Sequence, residues 1–305
     1  MEDIERIKER LENIQGVEPI VSSLRTISAG GWQAALRGLE ASRQYVEHLS
    51  AVLSATRPHL SRSSRHTATS IAPATPESTP DRVLMVVIAG ERGLCGAFND
   101  IVLSGAEELI QRQQVRSSQV LFATFGQPAR TYMEAQGREM VAHFELPATR
   151  VATFSLVYEI GESLIETAEL DQIEAVYLLY SPYRAASIQA PIAKRWLPFV
   201  PEETARAPGS EPPDVFIETD PDTLYEATLS EWVFCHLYRC VIESQASEQS
   251  ARFRAMEAAS SNLSRLIEEL TLSYHTARQH AITMEMLDLV AGSGALRGPD
   301  RGPQA

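Results

Sequence analysis

Few residues of this 305-residue chain are spaced for chemistry. The segment GERGLCGAFND, residues 90–100, follows an apolar run and sets glycines and free backbone amides ahead of a helical stretch, an arrangement that can hold an anion. It is neither G-x-G-x-x-G nor G-x-x-x-x-G-K-[ST], and no Lys, Ser or Thr stands where a nucleotide phosphate and its Mg²⁺ would need one. A tight turn with close helix-to-strand packing is the better reading. Cys235, His236 and Cys240 invite a metal cluster, but the two cysteines are five apart on a helical stretch and point in different directions, with no second Cys/His pair to close a tetrahedron. Cys95 has no His close in sequence and reads as a small apolar residue in a packed turn. G-x-S-x-G does not occur. The seven histidines, His48, His59, His66, His143, His236, His275 and His280, pair with no acid at a catalytic spacing. The expectation is therefore a chain with no catalytic, cofactor-binding or metal site of its own, with His280 as a seam or interface residue.

Composition narrows the class further. The chain has 40 acidic and 27 basic residues, a net charge of −13, a pI near 5.1 and a mean hydropathy of −0.15, which speaks against a nucleic-acid binder. Only Lys8 and Lys194 are lysines, leaving little scope for lysine chemistry. Three cysteines are too few and too odd in number for a disulfide framework and suggest a reducing compartment. The start, MEDIERIKERLENIQG, has neither the apolar run of a secretory signal nor the acid-poor character of a transit peptide. No run reaches the roughly 18 apolar residues of a membrane span, so a role at a membrane would pass through a partner.

What must position these residues is mostly long helix. Ile4, Ile7, Leu11, Ile14, Val17, Val21 and Leu24 follow the three-and-four spacing of an amphipathic helix, which continues to about residue 56. Gly16 and Pro19 predict a kink or short break. Residues 57–80, with four prolines, read as a linker. Over 81–200 strands (82–89, 118–125, 140–145, 173–181 and about 187–199) alternate with helices (97–114, from Gln127, 153–169), which implies an α/β domain with a mainly parallel sheet. The last strand reads as an edge because Pro191 cannot donate to a ladder. Residues 201–221 hold five prolines and form a second linker, and a helix without Gly or Pro then runs over 222–290, before a tail at 291–305. In its second half Met256, Leu263, Leu270, Ala277 and Met284 form one clean heptad seam, while Ala259, Leu266, Ser273, His280 and Leu287 form a fraying one. At about 1.5 Å per residue this helix outreaches a small domain and needs a mate, for which the N-terminal helix, antiparallel to it, is the obvious choice.

These residues carry a resemblance. The stretch SQASEQSARFRAMEAASSNLSRLIEELTLSYHTARQHAITMEMLDLV, the block ERGLCGAFN (91–99) and IKERLENIQG near the start look like the gamma subunit of F-type ATP synthases. That family's closing signature is [IV]-T-x-E-x-x-[DE]-x-x-x-G-A; Ile282, Thr283, Glu285, Asp288 and Gly292 match it, and Ser293 replaces the alanine. The resemblance implies an antiparallel coiled coil of terminal helices plus a central Rossmann-like α/β domain. It implies a non-catalytic central rotor that couples ion-driven rotation to ATP synthesis or hydrolysis. The implied partners are the alpha and beta subunits, epsilon and the c-ring. The implied location is peripheral, on the cytoplasmic face of a bacterial inner membrane. Carried over position by position, it implies subunit contacts at Leu24, Arg25, Arg252, Arg278, Gln279, Thr283 and Glu285.

The chain also departs from the family's pattern. Leu24 replaces a usual Met, Gly31 falls where a Lys is expected, and residues 1–56 hold six bases against eight acids. The family's basic rotor face is thus thinned and must lean on Arg25 and Arg37. A divergent branch serving an alternative, sodium-linked ATPase is one explanation and a paralogue with altered coupling another. Two further readings are an assembly-only stalk with weak coupling and an α/β ligand-binding protein with helical dimerisation arms.

Overall fold

The computed structural model describes residues 2–60, 80, 82–112, 120–184, 190–199 and 217–296. Most of both proposed linkers therefore lies outside the described residues. The elements are α1 (Glu2–Thr56), a 3₁₀ turn (Arg57–His59), β1 (Val83–Ile88), α2 (Phe98–Arg112), β2 (Val120–Phe125), α3 (Gln127–Ala135), β3 (Met140–Phe144), α4 (Phe154–Leu170), β4 (Ala175–Tyr180), β5 (Ile192–Leu197) and α5 (Pro221–Leu296).

The chain divides into two compact units, Thr26–Ala255 and Met1–Arg25 with Met256–Ala305. Each long helix contributes to both. In the first unit, here the body, one five-stranded sheet has the order β3-β2-β1-β4-β5. Pairing is parallel among the first four strands, with Val83 opposite Val120 on one side and Ala175 on the other. β5 runs antiparallel to β4 at the edge, as Pro191 predicts. β1, β2 and β4 are buried at every position, which explains why their sequences are almost wholly apolar. Their two faces feed two cores. Leu84, Val86 and Ile88 join Val157, Leu164, Trp196 and Leu237, while Met85 and Val87 join Phe98, Val102 and Met133.

Inside the body the long helices run antiparallel. Gly31 of α1 faces Gln249 of α5, Ala35 and Leu39 pack on Ile242 and Ala246, and the Trp232 indole N–H donates to Ser50 Oγ at 2.9 Å. Ser28, Gly31, Ala35, Gly38 and Ser42 recur at helical spacing, a strip of small residues that lets α5 lie close. Gly31 is buried there, so the position of the missing family lysine is not on an exposed face in this chain.

In the second unit Ile4, Ile7, Leu11, Ile14, Val21 and Leu24 are all at least half-buried, and so are Met256, Leu263, Leu270 and Ala277. Ser273, His280 and Leu287 of the second seam are exposed, but Ala259 and Leu266 are half-buried, and Met284 of the seam expected to be clean and Val17 of the α1 stripe are exposed as well. The predicted break near Gly16–Pro19 is corrected: α1 is helical throughout, with Pro19 inside it. Residues 15–20 are all exposed, so the carbonyl that loses its partner to proline is on a wetted face, and Ser23 Oγ donates back to the Pro19 carbonyl at 2.8 Å.

Candidate functional site

The sheet's crossovers reverse direction at β1, because β2 and β3 lie to one side of it and β4 and β5 to the other. In open α/β sheets the crevice beyond the carboxyl ends of the strands at such a point is the usual ligand site. Here it is filled by α5. Every residue from Cys240 to Arg252 is buried, although most of them are polar: Glu243, Ser244, Gln245, Ser247, Glu248, Gln249, Ser250 and Arg252.

Five of these eight side chains bond outward in different directions around the helix, while the Ser247 and Ser250 hydroxyls have no partner among the described residues. Ser244 Oγ donates to the carbonyl of Ile88, at the end of β1, at 3.0 Å. Glu243 accepts from Tyr180 Oη at the end of β4 at 3.3 Å and from Arg43 of α1 at 2.7 Å. Gln245 accepts from the Ala152 amide at 3.0 Å. Arg252 donates to Glu248 at 2.6 Å and to the carbonyls of Arg92 and Gly93 at 3.2 and 3.3 Å.

The glycine-rich segment is thus understood. Leu94 and Gly96 adopt φ of 62° and 60°, making the tight turn, and Asn99 ties it shut by accepting from the Gly90 amide and donating to the Arg92 carbonyl. A Cβ at Gly90 would lie 2.9 Å from the Glu248 carboxyl, so any other residue there must displace that side chain. The Glu91 backbone amide donates to that carboxylate. The anion held at this turn is the chain's own Glu248. Burial pushes the Glu248 carboxyl above the usual carboxylate range, against the pull of the Arg252 guanidinium. Burial also pushes the thiol of Cys95 up, that of Cys235 to about 12 and that of Cys240 to about 11, so none is a poised thiolate. Among the described residues no three His, Cys, Asp or Glu side chains converge as a metal site would require.

The contact residues read from the sequence fall in two places. Arg278, Gln279, Thr283 and Glu285 are exposed on the outer part of α5, with Thr283 Oγ1 donating back to the Gln279 carbonyl at 2.8 Å. Leu24 and Arg25 are half-buried on α1. Arg252 is different: it is 7% exposed, and its guanidinium is taken up by Glu248 and the 92–93 carbonyls of the same chain. Sequence reasoning passed over Glu243, Glu248 and Asn99. The available signal was a run polar on all sides, ESQASEQS, in the middle of a long helix, with Glu248 and Arg252 at i,i+4.

The ATP synthase family model matches residues 3–296. The chain belongs to the ATP synthase gamma-chain family. It is similar to the ATP synthase gamma chain of Desulfosudis oleivorans, at 28% identity over 98% of this chain and all of that one. The gamma chain of a Parafrankia species is 30% identical over 95% of this chain and 96% of its own length. The fold is also that of a chain in the cryo-EM structure of the Euglena gracilis mitochondrial ATP synthase, OSCP/F1/c-ring, with TM-score 0.64 and 16% identity over 99% of this chain and 97% of that one. A chain from the Tetrahymena thermophila mitochondrial ATP synthase central stalk and c-ring gives TM-score 0.55 at 18% identity over 79% of this chain and 99% of that one. No helix among the described residues is long and apolar enough to cross a membrane.

Proposed function

We propose that this gamma-chain relative is the central rotor of an F-type ATP synthase, turning inside a ring of alpha and beta subunits and resting on epsilon and the c-ring. It holds no catalytic site itself. It works peripherally, on the cytoplasmic face of a bacterial membrane. One observation carries the reading: α5 is a single helix of 76 residues whose last described turns carry Ile282, Met284, Met286, Leu287, Leu289 and Val290 exposed. So much apolar surface on a helix end is costly unless a partner covers it. The chemistry of such a shaft is coupling free energy: one asymmetric surface binds the conformers of its ring unequally, so turning it changes their populations.

Arg278, Gln279, Thr283 and Glu285 are the contacts proposed on the exposed part of α5, with Leu24 and Arg25 on α1. The second unit, residues 1–25 with 256–305, carries eight bases against twelve acids, a net of −4, so a basic face contributes little here and shape and apolar contact carry more. Co-expression with alpha and beta subunits tests the proposal. A complex with a single copy of this chain per ring is expected; a chain that purifies alone from such cells refutes it.

A further inference from the structure

We infer that residues 243–252 of α5 are a polar lock that fixes the rotational phase of that helix in the body, with Glu248 and Arg252 as its positioning residues. The purpose assigned to the lock rests on the rotor reading; the lock itself is a property of the single chain.

Apolar contact resists separation but is not directional, so a helix held by leucines alone is poorly held against turning about its own axis. Hydrogen bonds are directional and fail within a short displacement. Turning a helix by about 20° carries groups at a radius of about 5–6 Å through about 2 Å, which takes a hydrogen bond out of range. Segment 243–252 has such bonds on four sides: toward α1 through Glu243 and Arg43, toward β1 through Ser244, toward the loop before α4 through Gln245, and toward the 90–93 turn through Glu248 and Arg252. Such a ring of polar groups costs desolvation and is no route to stability as such. What it supplies is one angular setting. It lies where a Rossmann-like sheet would bind a separate ligand, so α5 is held in the body as that ligand would be.

The test uses the full-length chain, alone and assembled with its partners, and two readouts: amide hydrogen exchange over residues 243–252, and ions moved per ATP hydrolysed. Four variants are compared. The double variant Glu248→Gln with Arg252→Gln removes both charges. Glu248→Arg with Arg252→Glu keeps a pair but aims a carboxylate at the carbonyls of Arg92 and Gly93. Gly90→Ala sets a methyl group against the Glu248 carboxyl. Met133→Ala, in the core that takes in Ala251 but none of the hydrogen-bonding residues of 243–252, lowers the stability of the body without removing a bond of the lock.

The first three are expected to speed exchange over 243–252 by about tenfold while β1 and β4 stay protected, and to lower ions moved per ATP by about threefold. Met133→Ala is expected to lower the melting temperature and leave both readouts alone. The inference is overturned if the reversed pair behaves as wild type, if exchange rises with no change in coupling, or if Met133→Ala uncouples equally. Should the double variant not fold, Glu248→Gln alone, which keeps the shape and an acceptor for Arg252, decides by the same readouts. If the wild-type chain does not assemble, the rotor reading falls, and hydrogen exchange still decides the lock.

Discussion

His236 is the residue whose setting is least like its sequence suggests. Beside Cys235 and near Cys240 it resembled a ligand; in the body it is buried, stacked on Trp232 with ring centroids 4.5 Å apart, and neither ring nitrogen has a partner among the described residues. Burial, then the charges of Arg239 and Lys194, hold its pKa well below 6.5. The sign follows directly. The unfolded chain takes up a proton near pH 6.5 that the folded chain refuses, so stability is fully present above that pH and drains away below it. At pH 5.5 the loss attributable to His236 is on the order of 1 kcal/mol, a few degrees in melting temperature for a body of this size. His236→Phe keeps the aromatic stack and orphans no neighbour, so its melting temperature should fall less than wild type's between pH 7.5 and 5.5, by that amount. Parallel melting curves in thermal scans at the two pH values would contradict the assignment.

At the scale of elements, the strands were legible because burial on both faces leaves almost only apolar residues in β1, β2 and β4, Thr124 being the exception, and the long helices because their stripes persist for many turns. Pro19 misled because propensity counts the lost bond without knowing that its orphaned carbonyl is wetted. The twin glycines of α1 could not be told apart by sequence, yet they are opposites. A Cβ at Gly30 would meet nothing within 4 Å, whereas one at Gly31 would lie 3.3 Å from the buried Gln249 side chain. Gly30→Ala should therefore raise the stability of the body by about 1 kcal/mol through helix propensity alone. Gly31→Ala should gain nothing or lose stability. Gly31→Lys, the change that would restore a lysine at the family's position, should lose several kcal/mol because it drives a charge into the α1/α5 contact. Chemical denaturation of the three variants ranks them, and an equal gain from both alanines would show that the two helices are not in close contact at Gly31.

At the scale of the whole molecule, the sequence carried the order of helix, α/β body and helix, but not the place where the body grips α5. Two arginines expose that difference. Arg252 and Arg278 stand on one helix, both in stretches that resemble the family, and sequence alone gave them the same role. Arg278 is exposed and in the second unit; Arg252 is buried in the body and closes its turn. Truncating one partner of a buried pair leaves the other charge uncompensated and costs about 3–5 kcal/mol, whereas an exposed position away from such features moves stability by about 0.5 kcal/mol or less. Arg252→Ala should thus lower the melting temperature of the isolated chain by about 6 °C or more. Arg278→Ala with Gln279→Ala should leave it where it was and weaken capture of the chain by an alpha–beta ring instead. The two measurements, a thermal melt on the chain alone and a binding assay against the assembled ring, should cross over. If Arg278→Ala with Gln279→Ala leaves ring binding intact, the outer face of α5 is not where this shaft is gripped, and contact passes to the apolar turns beyond Ala281.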